Sequence, residues 1–345
     1  MTFRSPTTDR PTVTLLSMGG TIASGVSGAG GVTPNIPAGD VIRGIPGLAE
    51  VAQMRAETLR TVPSAEITLP DLHDVVAAGR RAVQEGSAGV LLAVGTNLLE
   101  EVAYALDLLW TEQAPLVVTG AMRNPTLAGA DGAANVLGAT ITALSPAARE
   151  QGVLIVFNNE IHAARFVRKM HTTKPSTFAS PLVGPIGWIS ESHCGIPFRL
   201  STRYSIAAPP ADPMVDVAIV QAVFGSGTEV LEQIGDSTCG GLVVEATGPG
   251  HVSSSWAKEL KRLAATMPVV LASRAGAGEL LASTYDFEGS EIDLLGSGLI
   301  SAGWLDGRKA RILLMLALTA GADNLDVKRI FDTISGLEDS LSFPS

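Results

Sequence analysis

The residues best suited to chemistry stand where short apolar runs end. Thr21 follows Gly19 and Gly20 directly, after the apolar run at residues 13–16. The paired glycines allow a tight turn, and ligands of open α/β sheets bind outside the carboxyl ends of the strands. The pattern predicts that Thr21 faces a binding crevice, although an ordinary turn with a capping threonine would look the same.

A second threonine and a lysine could complete such a site. Gly95, Thr96 and Asn97 follow the apolar run at residues 89–94, and Lys169 lies in a polar stretch after the run at 152–157. A threonine hydroxyl is a weak nucleophile unless a base, a lysine or a fixed hydrogen-bond network takes its proton. Taken singly, Thr96 would be interpreted as a turn residue and Lys169 as a solvated cation on a helix. Two histidines, His162 and His171, have no metal-ligand spacing and are predicted to be structural.

The elements that would position these residues alternate between strand and helix. Helical periodicity covers residues 72–83, 100–110 and 135–144, and buried strands are predicted at 89–94, 116–120 and 152–157. Continuous apolar strands in this order predict an α/β fold with a doubly wound, mostly parallel sheet covered by helices on both faces. In contrast, the small residues of 24–34 predict a mobile loop, either a lid over the site or a surface linker.

A second, smaller α/β domain is predicted towards the C-terminus. Residues 198–212 are proline-rich and aperiodic, and strands begin again at 215–220, 241–245 and 269–272. The predicted division is an N-terminal domain at 11–198, a linker at 199–213 and a C-terminal domain at 214–345. Trp304 and the apolar helix at 312–318 are expected to contribute to the core and to a subunit interface.

Composition narrows the classes of partner. The chain has 345 residues, 46% of them apolar, with a formal net charge of -10. That charge argues against nucleic-acid and anionic-membrane partners and leaves a small polar molecule. Neither a signal peptide nor a membrane span is evident. The two cysteines, Cys194 and Cys239, fit reduced thiols in a cytoplasmic protein.

Together, these segments closely resemble the bacterial-type L-asparaginase family of amidohydrolases. The family signature Thr-Gly-Gly-Thr-Ile-Ala resembles residues 18–23, and the second signature, His-Gly-Thr-Asp-Thr followed by Met-Glu-Glu, resembles residues 94–101. The resemblance continues in order through residues 118–123, 130–132 and 153–185 and, near the C-terminus, through 273–274, 301–303 and 309–311.

The resemblance implies an activity and an assembly. In this family the first threonine attacks a side-chain amide, and water hydrolyses the resulting acyl-enzyme without any metal or organic cofactor. That role falls on Thr21, while Thr96 and Lys169 would handle protons and the attacking water. A backbone N–H near Thr96 would stabilise the oxyanion, and Gly95 and Ala121 would line the substrate pocket. The resemblance also implies a homotetramer built as a dimer of dimers.

The departures from the family pattern concern one task, recognition of a free α-amino acid. Asn97 replaces the aspartate that grips the substrate's ammonium group, and Ala65 replaces the glutamine of a serine–glutamine pair whose serine is retained as Ser64. Val94 and Leu98 replace the histidine and threonine of the second signature, and no tyrosine occurs at 24–34. An amide or related carbonyl compound without a free α-ammonium is therefore the predicted substrate. A non-hydrolytic reaction (elimination, cyclisation or acyl transfer) and a catalytically silent ligand-binding protein are the alternatives.

Overall fold

The structure is a computed structural model that describes residues 10–28, 30–210 and 212–335. It divides into two compact units, one ending at Ser205 and the other beginning at Ile206. The strands of the first unit are β1 (Thr12–Gly19), β2 (Ser24–Val26), β3 (Val32–Pro34), β4 (Gln53–Val62), β5 (Ser87–Ala93), β6 (Leu116–Thr119), β7 (Val153–Phe157), β8 (Glu160–Ala163), β9 (Arg168–Lys169), β10 (Phe178–Ala179), β11 (Gly187–Ser190) and β12 (His193–Gly195). Its helices are α1 (Ala38–Ile42), α2 (Leu48–Val51), α3 (Leu69–Gln84), α4 (Leu99–Leu109) and α5 (Gly132–Leu144).

Eight of these strands form one sheet in the order β12-β11-β8-β7-β6-β5-β1-β4. From β4 to β7 all neighbours are parallel, whereas β7, β8, β11 and β12 pair antiparallel. Helices cover both faces, because Val90 of β5 contacts α3 at Gly79, whereas the preceding Gly89 lies against Ala143 of α5. Because β1, β5 and β6 pair in parallel, their carboxyl ends meet at one edge of the sheet.

The second unit is a smaller α/β body. Its parallel sheet has the order β13 (Val217–Gln221), β14 (Gly241–Ala246), β15 (Val269–Ser273) and β16 (Ile300–Ser301). The helices are α6 (Glu229–Gly235), α7 (Ser254–Ala264), α8 (Glu291–Gly296), α9 (Gly307–Thr319) and α10 (Asn324–Ser335). The predicted fold class, a mostly parallel α/β domain followed by a smaller α/β domain, is confirmed.

The apolar stretch at 312–318 belongs to α9, whose inner residues are buried within the second unit. Leu313, Leu314 and Leu316 are fully buried there, and Trp304 is half-buried. Burial in the chain's own core therefore explains the apolar character of this helix. Across the described ranges, no helix is both long and apolar enough to cross a membrane.

The stretch at 24–34, predicted as a mobile loop, contains two short strands that form a β-hairpin, a feature that the sequence did not predict. β2 and β3 pair antiparallel with Ser24 opposite Pro34, and Ala29 lies outside the described residues. Two side chains fix the base of the hairpin: Ser24 Oγ donates to Gly20 O at 2.8 Å, and Asn35 Oδ1 accepts the Gly25 N–H at 2.9 Å. Backbone pairing supplies the order that these small side chains cannot provide by burial.

Candidate active site

Thr21 is positioned by the glycine pair before it. Gly20 has a φ of 81°, a left-handed conformation that favours glycine. A Cβ at this position would lie 2.4 Å from the Cα of Gly95, so the ends of β1 and β5 touch backbone to backbone. Thr21 then opens a 3-10 turn, Thr21–Ala23. Its side chain is half-exposed and makes no hydrogen bond with any other described residue.

Thr96 and Lys169 are in direct contact. Thr96 follows β5 and is only 6% exposed. The ammonium group of Lys169, on β9, donates to Thr96 Oγ1 at 2.9 Å and to Asn97 Oδ1 at 3.0 Å. Because Gly95 stacks on Gly20, this lysine–threonine pair lies beside the turn that begins at Thr21. The structure therefore brings the three predicted catalytic residues to one edge of the sheet.

Glu100 lies beside the lysine–threonine pair and was not singled out from the sequence. It lies in the first turn of α4, is 2% exposed, and its carboxylate accepts the backbone N–H of Lys169. Burial lowers the pKa of Lys169, and the negative charge of Glu100 opposes that shift. The available signal was a glutamate on the buried side of an apolar helix, where an uncompensated charge would be costly.

The Ser64–Ala65 pair approaches the same point from β4. A 3-10 turn, Ser64–Glu66, follows this strand, and Ser64 is buried. A Cβ at Gly95 would lie 2.9 Å from Ser64 Oγ, so the serine hydroxyl lies close to the backbone that leads into Thr96. Ala65 and Glu66 are both exposed.

Ala121 follows β6 and completes the cluster at the sheet edge. It is buried, and a Cβ at Gly132 would lie 3.4 Å from the Ala121 side chain and 2.8 Å from Ile22, the neighbour of Thr21. The loop that carries it is held by Asp131, whose carboxylate accepts the backbone N–H of Met122 at 3.1 Å. The five expected substrate-binding residues, Ser64, Ala65, Gly95, Asn97 and Ala121, thus come from the ends of β4, β5 and β6.

Backbone donors are available next to Thr96. Among the described residues, no hydrogen bond uses the N–H of Gly95 or Thr96. An unpaired, fixed N–H at a strand end can stabilise a developing oxyanion.

The two histidines lie outside this arrangement. His162 is fully buried, with Nδ1 3.0 Å from Ser180 Oγ, and burial lowers its pKa to about 4. His171 Nδ1 accepts the backbone N–H groups of Thr173 and Lys174 and so closes a local turn. Where side chains are described, no three His, Cys, Asp or Glu residues are grouped as metal ligands would be.

Two family models match this chain, one for each half. The model described as "Asparaginase, N-terminal" matches residues 12–199, and that of the "Glutaminase/Asparaginase C-terminal domain" matches residues 216–331. The two matches follow the two α/β units of the fold, which is that of a family of amidohydrolases. The chain belongs to the asparaginase family.

The proteins similar to this chain match it over nearly its whole length. "Probable L-asparaginase" of Deinococcus radiodurans is 34% identical over 93% of this chain and 97% of its own. "L-asparaginase 2" of Escherichia coli is 31% identical over 93% of both. A component of the glutamyl-tRNA(Gln) amidotransferase of Methanosarcina barkeri is 30% identical over 94% of this chain and 78% of its own length. Among solved structures, "Probable Cytoplasmic L-asparaginase" from Campylobacter jejuni has a TM-score of 0.82 at 27% identity, covering 93% of this chain and 99% of that one.

Proposed function

We propose that this protein is an amidohydrolase that uses Thr21 as its nucleophile and acts on an amide or related carbonyl compound lacking a free α-ammonium group. The observation that carries the proposal is the contact of Lys169 Nζ with both Thr96 Oγ1 and the neutral Asn97 Oδ1. Lys169 and Thr96 can still transfer a proton, whereas Asn97 beside them has no charge with which to hold an ammonium group.

The reaction proceeds through two acyl transfers. Thr21 Oγ attacks the amide carbonyl carbon, the C–N bond breaks, and the nitrogen leaves as ammonia or an amine with the hydroxyl proton. The N–H groups of Gly95 and Thr96 stabilise the tetrahedral oxyanion. Water then attacks the Thr21 ester while one of its protons passes through Thr96 to neutral Lys169. The acyl C–Oγ bond breaks, the carboxylic acid leaves, and Lys169 returns the proton through Thr96 to Thr21 Oγ, which restores the hydroxyl and the neutral lysine. Burial favours this role, since it lowers the pKa of Lys169 and so increases the neutral fraction.

The chemistry of Asn97 explains the choice of substrate. Its Oδ1 accepts from Lys169, which leaves the Nδ2 amide protons as the groups that a substrate would meet. Donor protons repel an ammonium and favour a carbonyl or carboxylate oxygen. A charge-assisted hydrogen bond contributes roughly 1.5 to 3 kcal/mol, so its absence lowers the affinity for asparagine about 10- to 150-fold. Ala65 adds no side-chain polar group of its own.

A panel of amides tests the proposal by the rate of ammonia release. Succinamate and N-acetylasparagine lack the α-ammonium, whereas asparagine and glutamine retain it. We expect kcat/KM for the first two to exceed that for asparagine at least tenfold. The Thr21→Ala variant, checked by circular dichroism, serves as the control for contaminating activity. A preference for asparagine, or no ammonia from any amide, would refute the proposed substrate class.

We further infer a cytoplasmic homo-oligomer, a dimer of dimers. Large apolar side chains stand exposed in both units, including Trp188 at 51% and Phe224 at 105%, and a second copy of the chain could cover them. The Campylobacter jejuni protein is named cytoplasmic, whereas a 31% identical Haemophilus influenzae protein is named "Probable L-asparaginase periplasmic". Light scattering at micromolar concentration checks the assembly, and a monomer alone would exclude it.

A further inference from the structure

A cleft of about 300 Å³ lies beside the turn that carries Thr21. Its floor is buried and apolar, formed by Ile22, Ala121 and Gly132. Half-buried aliphatic side chains form the sides: Ile36, Val41 and Ile45. This volume lies at the lower end of the range for ligand sites, about 300 to 1,000 Å³, so it suits a short chain rather than a ring system.

The rim of the cleft is charged and carries a surplus of positive charge. Asp40 pairs with Arg43 at 2.7 Å and is thereby neutralised. The guanidinium of Arg123 reaches only the carbonyl oxygens of Ala128 at 3.4 Å and Gly129 at 3.5 Å, and within the described chain it pairs with no carboxylate. Its planar fork is suited to a ligand carboxylate.

The cleft and the reaction site are neighbours on the turn at residues 21–23, although Thr21 itself does not line the cleft. Ile22, on the floor, directly follows Thr21, and Ala121 is both floor and expected substrate contact. The wall residue Ile36 is tied to the same turn, because its backbone N–H donates to Ala23 O at 2.9 Å. A molecule whose amide lies at Thr21 would enter the cleft past Ile22 and Ala121.

We propose that the cleft binds the non-reacting arm of the substrate, a short unbranched apolar chain that ends in a carboxylate held by Arg123. This inference rests on the proposed function, since it places the reacting amide at Thr21. It identifies the substrate class as the monoamide of a linear dicarboxylic acid. Such a molecule carries no ammonium, in keeping with Asn97, and its methylene groups match the aliphatic walls.

The probes are succinamate, glutaramate and adipamate, which differ by one methylene each, and hexanamide, which lacks the carboxylate. Binding is measured by calorimetry on the Thr21→Ala protein, so that no turnover intervenes. We expect each added methylene to tighten binding about fourfold. We also expect adipamate to bind at least tenfold tighter than hexanamide.

Two neighbouring alanines in the first turn of α5 provide matched variants. Ala133 lines the cleft and Ala134 does not, although both are exposed. Ala133→Leu fills the cleft and should weaken adipamate binding about tenfold or more, while Ala134→Leu leaves it unchanged. Arg123→Met keeps an apolar stem without the charge, so it should weaken adipamate about tenfold and hexanamide less than twofold.

The outcomes separate this inference from the proposed function. Equal affinity for succinamate and adipamate, or equal losses in the two alanine variants, would overturn the assignment of the cleft. Ammonia release from succinamate with no effect of Ala133→Leu on adipamate would also overturn it, while leaving the proposed function intact. Conversely, cleft-dependent adipamate binding without ammonia release from any amide by the unmodified protein would support the cleft and refute the hydrolase.

Discussion

The two threonines of the site stand at the ends of neighbouring strands, yet their surroundings differ. Thr96, after β5, is buried and receives a hydrogen bond from Lys169 at 2.9 Å. Thr21, after β1, is half-exposed, and its hydroxyl makes no hydrogen bond in the described part of the chain. The hydroxyl of Thr96 is thus held by a lysine, whereas the hydroxyl of Thr21 is free to contact a substrate, and in the proposed attack its proton passes to the leaving nitrogen.

The backbone explains this difference. β5 leads into α4, whose Glu100 lies behind Lys169 and fixes the backbone of that lysine. β1 instead passes through two left-handed glycines into a 3-10 turn and a hairpin. One strand end is thus supported from behind by a helix, and the other projects a single side chain from a turn.

The largest effect is expected from removing the projecting hydroxyl. Thr21→Ala should lower kcat by about 10³-fold or more, because no acyl-enzyme can form. Thr21→Ser should retain measurable turnover, since it keeps the hydroxyl. Steady-state ammonia release from the amide panel measures both, with thermal unfolding as the check on folding. If Thr21→Ala turned over substrate at the wild-type rate, Thr21 would not be the nucleophile.

Removing the Lys169 ammonium group should lower kcat less than removing the Thr21 hydroxyl. Lys169→Met keeps most of the apolar stem and deletes the proton acceptor, so we expect a loss in kcat of about 10²- to 10⁴-fold. Lys174→Met, at an exposed position a few residues further on, is the matched control. Equal rates for the two variants would show that Thr96 works without Lys169.

A gain of function tests the role of the residues beside the lysine–threonine pair. Asn97→Asp combined with Ala65→Gln returns a charged and a polar group towards the expected position of an α-ammonium. We expect kcat/KM for asparagine to rise about 10- to 150-fold. The two single variants apportion the gain, and succinamate serves as the comparison substrate. A folded double variant with unchanged asparagine kinetics would place specificity at Val94, Leu98 or the hairpin.

The smallest expected effect is a shift in the pH profile of kcat. Glu100 raises the pKa of Lys169 against burial, so Glu100→Gln lowers that pKa further. Neutral lysine is the active form of a base, and activity therefore rises with pH through its pKa. The rising limb of the kcat profile should move to lower pH in Glu100→Gln and stay in place in the control Glu101→Gln. A shift to higher pH would contradict the electrostatic role of Glu100.

The sequence predicted the main elements of the fold because their signals are local. The apolar run at 89–94 became β5 (Ser87–Ala93), and the helical spacing at 72–83 lies within α3. The β2–β3 hairpin was missed because its residues are small and its order comes from backbone pairing. Backbone pairing of this kind produces no recognisable hydropathy pattern in the sequence.

The site was only partly predictable, since it joins distant segments. Lys169 lies 73 residues from Thr96, and their contact follows from the family resemblance rather than from any local pattern. The cleft is assembled from four separate stretches around Ile22, Val41, Arg123 and Ala133, which no sequence period connects. The identities of Thr21, Thr96 and Lys169 were predicted, and their roles stay proposals.

The contact between Gly20 and Gly95 has a consequence for how this protein can evolve. A Cβ at Gly20 would lie only 2.4 Å from Gly95 Cα. The backbone segments that lead into Thr21 and Thr96 are therefore held together by the contact of these two glycines. Substitutions at residues 65 and 97 or around the cleft leave these two glycines in place, and within the hairpin Ser24 is the residue that bonds to Gly20. Substitutions at these outer positions can therefore change which substrate fits, while the glycine contact keeps the spacing between Thr21 and Thr96 the same.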